Sequence, residues 1–584
     1  MNRKQRRALE KKGGSPTARQ PGQFTPGSTG GTLSHLLAGT PSNTGPSIAE
    51  AMARGYALYR EGRRGAAEKL FDQILARQPE NAESLHMKGV LRYLENDFNN
   101  AVQFIEKAEQ LQIKKDPNIP NNLGLALVGM KNFREARHAF DRALSLAPDF
   151  AQAWHNKAAA LIPDERYEDA ITALKKAAGL LPDHPETEAA LGDILLRLGQ
   201  QQTAEIHLRR ALELKPSLTE ARANLAACLI EQIRLDEAVG ELAKIIAAEP
   251  AHAKSWFMRG TAEALAGRKD DSTNAFQMAR ELQVQEFEQR GFQREKVYIQ
   301  LSRRCNLRCT MCGHHIWESN EGFMTMELFE HALDECAANG LFDIVILAAQ
   351  GEPFLHPKIF EFLEYAVGRG FHVGIVSNGT PFTEERADRL AGTGIDFMQF
   401  SFAGWDKESY ETTYVGGKFE QVTRNLRHIA DALQKKRSRT QLTVKAVTST
   451  DSSDFVRKTQ EFLDSLGDFR VLPVTPNNFG GTMKIGKYDE ETELYSYRDV
   501  KHSSLSVCKI LTQSVGIYFD GRVTACGCYD ANGQLEIGNI TQESLKDIMQ
   551  GKKFRRILKA FEKGSVGHIP LCNKCDDPYG TANF

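Results

Sequence analysis

Small, apolar and polar positions recur with one period over the first half of the chain. A buried-type alanine returns at Ala67, Ala101, Ala136, Ala170, Ala204 and Ala238, with Ser272 in the seventh place, in steps of 34, 35, 34, 34, 34 and 34 residues. An earlier small position is held by Gly55, Gly89, Gly124, Ala158, Gly192, Ala226 and Gly260. Pro79, Pro148, Pro182, Pro216 and Pro250 close their units in the same phase. Small residues let paired helices approach closely, and proline ends the second helix because it has no N–H to donate. The pattern predicts seven antiparallel helix pairs over 48–290, stacked into a solenoid with a concave groove. From about 291 the period changes. Strand-like runs at 296–302, 342–349, 371–377, 395–402, 441–448 and 469–474 alternate with amphipathic stretches near 326–339, 357–369, 383–392, 418–436 and 453–467. That alternation predicts a parallel sheet curved into a partial barrel over 291–480. Further on, Asp520-Gly521 between two alternating runs predicts a tight hairpin that returns Cys526 towards Cys508. The fold class expected is therefore multidomain, α followed by α/β, with a small cysteine-rich domain over 481–584.

Composition adds exclusions. Lysine plus arginine (74) balance aspartate plus glutamate (75), so no global field favours nucleic acid or an anionic membrane. No apolar run approaches a membrane span. Residues 1–47 hold 13 Gly or Pro and few large apolar residues, and read as a disordered tail. The basic start, MNRKQRRALEKK, has no apolar stretch after it and does not read as a secretory signal. The ten cysteines cluster in a way that suits metal ligation better than a disulfide framework, which fits a reducing cytoplasm. Cys228 and Cys336 lie on apolar helical patterns and read as core.

The chemistry concentrates in Cys305-Asn-Leu-Arg-Cys309-Thr-Met-Cys312, directly after the first strand-like run. Three convergent thiolates suit zinc, copper(I) or an iron–sulfur cluster. A four-iron cluster takes four ligands, so three cysteines leave one iron open to another molecule. The CxxxCxxC spacing resembles that of the radical S-adenosylmethionine (SAM) enzymes, and the 34-residue period is that of the tetratricopeptide repeat. The first resemblance implies a partial (β/α)6 barrel with its chemistry at the carboxyl ends of the strands. It also implies a [4Fe–4S] cluster on Cys305, Cys309 and Cys312 that cleaves SAM to a 5′-deoxyadenosyl radical. The second strand ends in Gln350-Gly-Glu-Pro353, similar to the family's GGEP motif with Gln350 in place of the first glycine. On that likeness Gly351, Glu352 and Pro353 meet the SAM ammonium. The third strand ends in Ser377-Asn378-Gly379-Thr380, which resembles the ribose-side segment, and Ser401 resembles a serine that reaches SAM. Met311 takes the place of the family's usual aromatic residue near the adenine, where a polarizable thioether can serve. Lys445 is a further candidate, for the SAM carboxylate.

Cys508, Cys526, Cys572 and Cys575 resemble the SPASM/twitch extension of these enzymes, and Cys528 is left over. The likeness implies one auxiliary [4Fe–4S] cluster on that quartet; a structural zinc site is the alternative. No catalytic acid or base stands out. The expected protein is a cytoplasmic radical SAM enzyme, an oxidoreductase or maturase, served by a low-potential donor of flavodoxin or ferredoxin type. Two substrate classes follow. In one, the repeats capture a peptide or protein which the barrel oxidatively modifies. In the other, the barrel acts on a small sugar or alcohol while the repeats dock a separate partner.

Overall fold

The computed structural model describes residues 47–584 apart from 112–114, 165, 311, 313–321, 339, 349–350, 403, 448–452, 475–506, 528–529, 531 and 573–584. The chain divides into two compact units, Met1–Ala251 and His252–Phe584.

The first unit is helical. It comprises α1 (Ile48–Arg60), α2 (Arg64–Arg77), α3 (Ala82–Leu94), α4 (Phe98–Leu111), α5 (Asn118–Gly129), α6 (Phe133–Leu146), α7 (Ala151–Ala159), α8 (Tyr167–Leu180), α9 (Pro185–Arg197), α10 (Gln201–Leu214), α11 (Thr219–Glu231) and α12 (Leu235–Ala248). The period has a steric origin. A Cβ on Gly89 would come within 2.3 Å of Ile105, and one on Gly124 within 2.5 Å of Phe140, so each close helix pair needs a small residue opposite a large one. The alanines at 67, 101, 136, 170, 204 and 238 are fully buried. The turn within a pair also repeats: Gly62, Asn96, Lys131, Gly199 and Ile233 all hold a left-handed backbone, at φ 75, 61, 60, 69 and 59°. A polar seam runs through the unit's interior. Asn122 Nδ2 lies 2.8 Å from His86 Nε2, and Asn156 Nδ2 donates to Asn121 Oδ1 at 3.0 Å. Burial pushes His86 down to about 4, so it is neutral in this seam.

The second unit begins with the seventh helix pair, α13 (Ala253–Leu265) and α14 (Lys269–Gln289). Six parallel strands follow: β1 (Lys296–Ile299), β2 (Ile344–Leu347), β3 (His372–Ser377), β4 (Phe397–Ser401), β5 (Gln441–Val447) and β6 (Phe469–Val474). Between them lie α15 (Met326–Ala338), α16 (Ile359–Gly368), α17 (Glu384–Thr393), α18 (Lys407–Thr413), α19 (Phe419–Lys435) and α20 (Ser453–Asp464). The short α18 was not expected from the sequence pattern. The chain continues through α21 (Lys509–Gln513), β7 (Ser514–Ile517), β8 (Arg522–Thr524), β9 (Glu536–Asn539), α22 (Leu545–Gln550) and α23 (Lys552–Glu562).

The hairpin forms as the Asp520-Gly521 signal predicts, with Gly521 at φ 85°. Its placement adds something new. β7 pairs in parallel with β1, in the register Ile299↔Ile517, giving one nine-stranded sheet in the order β6-β5-β4-β3-β2-β1-β7-β8-β9. The cysteine-rich region thus extends the barrel sheet, and one apolar core runs from Phe287 through Val297 and Val515 to Phe561. Among the described residues, no helix is long and apolar enough to cross a membrane.

Candidate functional site

The cysteine loop leaves the carboxyl end of β1 and is held on two sides. On the β2 side, Glu352 N donates to Arg304 O at 2.8 Å. Gly351 sits there at φ 140°, and a Cβ on it would meet Ser302 O at 2.4 Å, so only glycine permits this approach. On the other side, Arg308 N donates to Val415 O at 2.9 Å and Thr310 N to Thr413 O at 3.0 Å. Within the loop, Cys312 N donates to Cys309 O at 3.1 Å. Cys305, Cys309 and Cys312 are all half-buried. Burial pushes Cys305 up to about 11, with the Glu352 carboxylate and Cys312 adding to it. Burial likewise pushes Cys309 up to about 12, with Cys312 and Cys305 adding. Three soft donors that oppose one another's ionisation suit a cationic iron centre, because bound metal draws the proton off a coordinating thiol.

Glu352 is buried at 1% exposure, and its carboxylate faces the end of β3. Oε1 accepts from Ser377 Oγ at 2.9 Å and from Phe354 N at 3.0 Å; Oε2 accepts from Asn378 N at 2.7 Å. Burial nonetheless pushes this carboxyl up to about 7. Pro353 follows as the first residue of a buried 3-10 turn. Asn378 turns towards the cysteine loop: its Nδ2 donates to Asn306 Oδ1 at 3.0 Å and lies 4.0 Å from Cys305 Sγ. Asn306 Nδ2 then donates to Thr380 Oγ1 at 2.7 Å, and Thr380 Oγ1 donates to Asn378 Oδ1 at 2.6 Å. Ser401 closes β4 and pairs in register with Lys445 of β5. Met311, Gln350 and the histidines at 314 and 315 lie outside the described residues.

Sequence reasoning missed Asn306 and the 413–417 segment, and placed Thr380 in the third-strand turn without its bonds to the cysteine loop. Their signal is weak because most of the bonds they make join segments far apart in the chain. It also missed Tyr410 and Tyr414, which are buried with stacked rings 5.0 Å apart and whose hydroxyls have no hydrogen-bond partner among the described residues.

The second cysteine set lies at the other end of the sheet. Cys508 caps α21 just before β7, and Cys526 follows β8, level with the start of β7 in the antiparallel register. The Cys305 loop instead follows the carboxyl end of β1, which runs parallel to β7. Burial pushes Cys572 up to about 12, helped by Cys508 and by Asp530. The Cys526 N–H donates to Thr524 Oγ1 at 3.3 Å. Cys575 and Cys528 lie outside the described residues. Cys228 and Cys336 are fully buried and belong to the apolar cores of their units, and the Cys228 thiol also donates to Gln201 O at 3.0 Å and accepts from Gln232 Nε2 at 3.2 Å. Among the described residues, no three His, Cys, Asp or Glu side chains close on the position of a single metal ion.

Residues 299–444 match the model of the radical SAM superfamily, and residues 508–576 match that of SPASM, an iron–sulfur cluster-binding domain. Residues 52–117, 121–150 and 149–217 match tetratricopeptide repeat models. A tungsten-containing aldehyde ferredoxin oxidoreductase cofactor-modifying protein from Pyrococcus furiosus is 25% identical over 317 residues, covering 48% of this chain and 88% of that protein. The mycofactocin maturase MftC of Mycobacterium tuberculosis is 29% identical over 133 residues, covering 23% of this chain and 34% of the maturase. A PqqA peptide cyclase from Ruegeria pomeroyi is 26% identical over 176 residues, covering 30% and 45%. The chain thus spans less than half the length of the last two relatives. A radical SAM domain implies a [4Fe–4S] cluster and SAM, and a SPASM domain implies auxiliary iron–sulfur clusters. The chain is a set of tetratricopeptide repeats joined to a radical SAM domain and then a SPASM iron–sulfur domain.

Proposed function

We propose that this enzyme oxidatively modifies a peptide or protein brought to it by the tetratricopeptide repeats. Cys305, Cys309 and Cys312 hold the SAM-binding cluster, and Cys508, Cys526, Cys572 and Cys575 hold one auxiliary cluster. When bound, these groups supply one-electron cleavage of SAM and removal of hydrogen from an unreactive C–H bond. The chain's own residues bind and orient. Gly351 and the backbone beside it line the strand end where the SAM ammonium docks. Asn306, Asn378 and Thr380 fix the cysteine loop against β3. We assign the auxiliary site to electron traffic, because the two cysteine sets leave opposite ends of one sheet. A low-potential donor of flavodoxin or ferredoxin type starts the cycle. The observation that carries the reading is the fusion itself: a peptide-binding type of repeat precedes a radical SAM–SPASM pair, and two relatives of that pair are named as a maturase and a peptide cyclase.

The test is an anaerobic capture with the loaded full chain, followed by SAM and reductant. A captured peptide or protein is expected to lose hydrogen, read by mass spectrometry, only when SAM is present. Turnover of a small sugar or alcohol, with every captured protein unaltered, would refute the reading.

Glu352 offers a narrower check. Its carboxylate already accepts three bonds, so its influence on SAM runs through the position of the strand ends. Glu352→Ala leaves Ser377 Oγ and two backbone N–H groups without their acceptor, at about 1–3 kcal/mol for each buried donor left unpaired. We expect SAM affinity to fall about tenfold, equivalent to about 1.4 kcal/mol, with the iron content unchanged. Equal affinity in calorimetric titrations of both proteins would show that this strand end does not hold SAM.

A further inference from the structure

The last helix of the repeat pattern does not end as its predecessors do. The second helices of the earlier pairs, such as α2 and α12, have 14 residues, whereas α14 has 21. Leu282 fills the fourteenth place and the added turns carry Val284 and Phe287; all three are buried, and Val284 and Phe287 belong to the core of the barrel and the cysteine-rich region. Between them, Gln283 reaches the chain just before Cys508: its Oε1 accepts from Val507 N at 3.0 Å. Val507 is buried, so this N–H has no ready substitute in water.

The exit of α14 holds the other side of the same segment. Arg294 is fully buried and lies over the rings of Phe287 and Phe554, at 5.1 and 4.5 Å from their centroids. Its Nε donates to Leu511 O at 3.2 Å. One residue on, Glu295 N donates to Gln513 O at 3.0 Å. The stretch from Val507 to Gln513, with Cys508 as the cap of α21, is therefore tied at both ends to α14 and its exit. Arg280, three residues before Gln283 on α14, instead donates to Glu562 O at 3.2 Å, at the end of α23.

We infer that Gln283 and Arg294 are positioning residues for the auxiliary iron–sulfur site, fixing the backbone on either side of Cys508, so that a repeat-type helix forms part of the cluster-bearing domain. The inference rests on the reading of Cys508 as a cluster ligand. Outer residues of this kind orient ligands, and their loss commonly weakens metal binding 10–100-fold.

The test uses the full chain loaded anaerobically, with Cys508→Ala first to identify which electron paramagnetic resonance signal is auxiliary. Gln283→Leu removes the acceptor at similar volume; Gln283→Glu keeps one. In Gln283→Leu the auxiliary signal is expected to shift in potential and to bleach in chelator about tenfold faster, while the other signal is unmoved. Gln283→Glu restores the wild-type rate. Arg294→Met, acting at the far side of Cys508, gives the same selective change and serves if Gln283→Leu proves insoluble. Arg280→Ala, on the same helix, leaves both signals alone. Wild-type bleaching and potential in Gln283→Leu, or in Arg294→Met as its substitute, overturn the positioning role while the ligand reading stands. A Cys508→Ala chain that keeps both signals unchanged removes the ligand reading and this inference with it.

Discussion

Replacing Cys305, Cys309 and Cys312 together with alanine is expected to leave about four iron in a chain that otherwise loads about eight as two four-iron clusters. SAM cleavage should disappear completely. The three thiols are half-buried, so the substitutions remove modest apolar contact. The loop keeps its frame, because the bonds from Glu352 N, Arg308 N and Thr310 N go through backbone atoms that alanine retains. The variant should therefore fold, and its loss should be chemical rather than structural. Iron analysis and circular dichroism on the same samples check both halves. Undiminished iron in the triple variant, or stoichiometric zinc in the wild type, would show that the loop holds something else.

A chain beginning at His252 should fold, load both clusters and cleave SAM without substrate, whereas one beginning at Gly291 should aggregate. The second cut removes α14. It strips Val284 and Phe287 from the core and exposes the surfaces of Phe292 and Phe554 against which Phe287 packs. Each fully buried side chain of this size contributes about 1.5–3 kcal/mol. Losing two, together with the Gln283 and Arg280 bonds, approaches the whole stability of an ordinary domain, about 5–15 kcal/mol. On the proposed reading, in which the first unit captures and orients the substrate, the His252 chain should also lose most activity on the native substrate. Solubility, iron content and a mass-spectrometric assay separate the cases. Native processing by the His252 chain at the full rate would reduce the first unit to docking or localisation.

The repeat was legible because its cause is local. A small residue must face a large one across each helix pair, and Gly89–Ile105 and Gly124–Phe140 write that need into the sequence at a fixed spacing. The six barrel strands were legible as apolar runs, and the hairpin through Asp520-Gly521. What escaped was long-range. Nothing in the run Ser514–Ile517 says that its partner is β1, because parallel pairing is chosen by the tertiary core and not by a turn. The period also changes near 290, but packing follows burial: the seventh helix pair belongs to the second unit, and the last turns of α14 place Val284 and Phe287 in its core. At the site, the cysteines and the Gly-Glu-Pro turn were visible as residue types. The inward turn of Glu352 and the Asn306–Thr380–Asn378 network were not, since each depends on which polar group a neighbouring strand end presents.

The placement of β1 also bears on how the protein is made. β1 and the cysteine loop leave the ribosome well ahead of β7, with β2 following on one side, but the strand on the other side is encoded far downstream. Until residues 514–517 emerge, that side of β1 is an open edge. The N–H groups of Glu295 and Gln300 then lack the carbonyls of Gln513 and Ile517, and an open edge of this kind invites wrong pairing. Distant strand pairing is also slow to form. The nascent chain thus carries the cysteine loop on a strand whose second neighbour has yet to be made, although in the finished sheet that strand is an inner one.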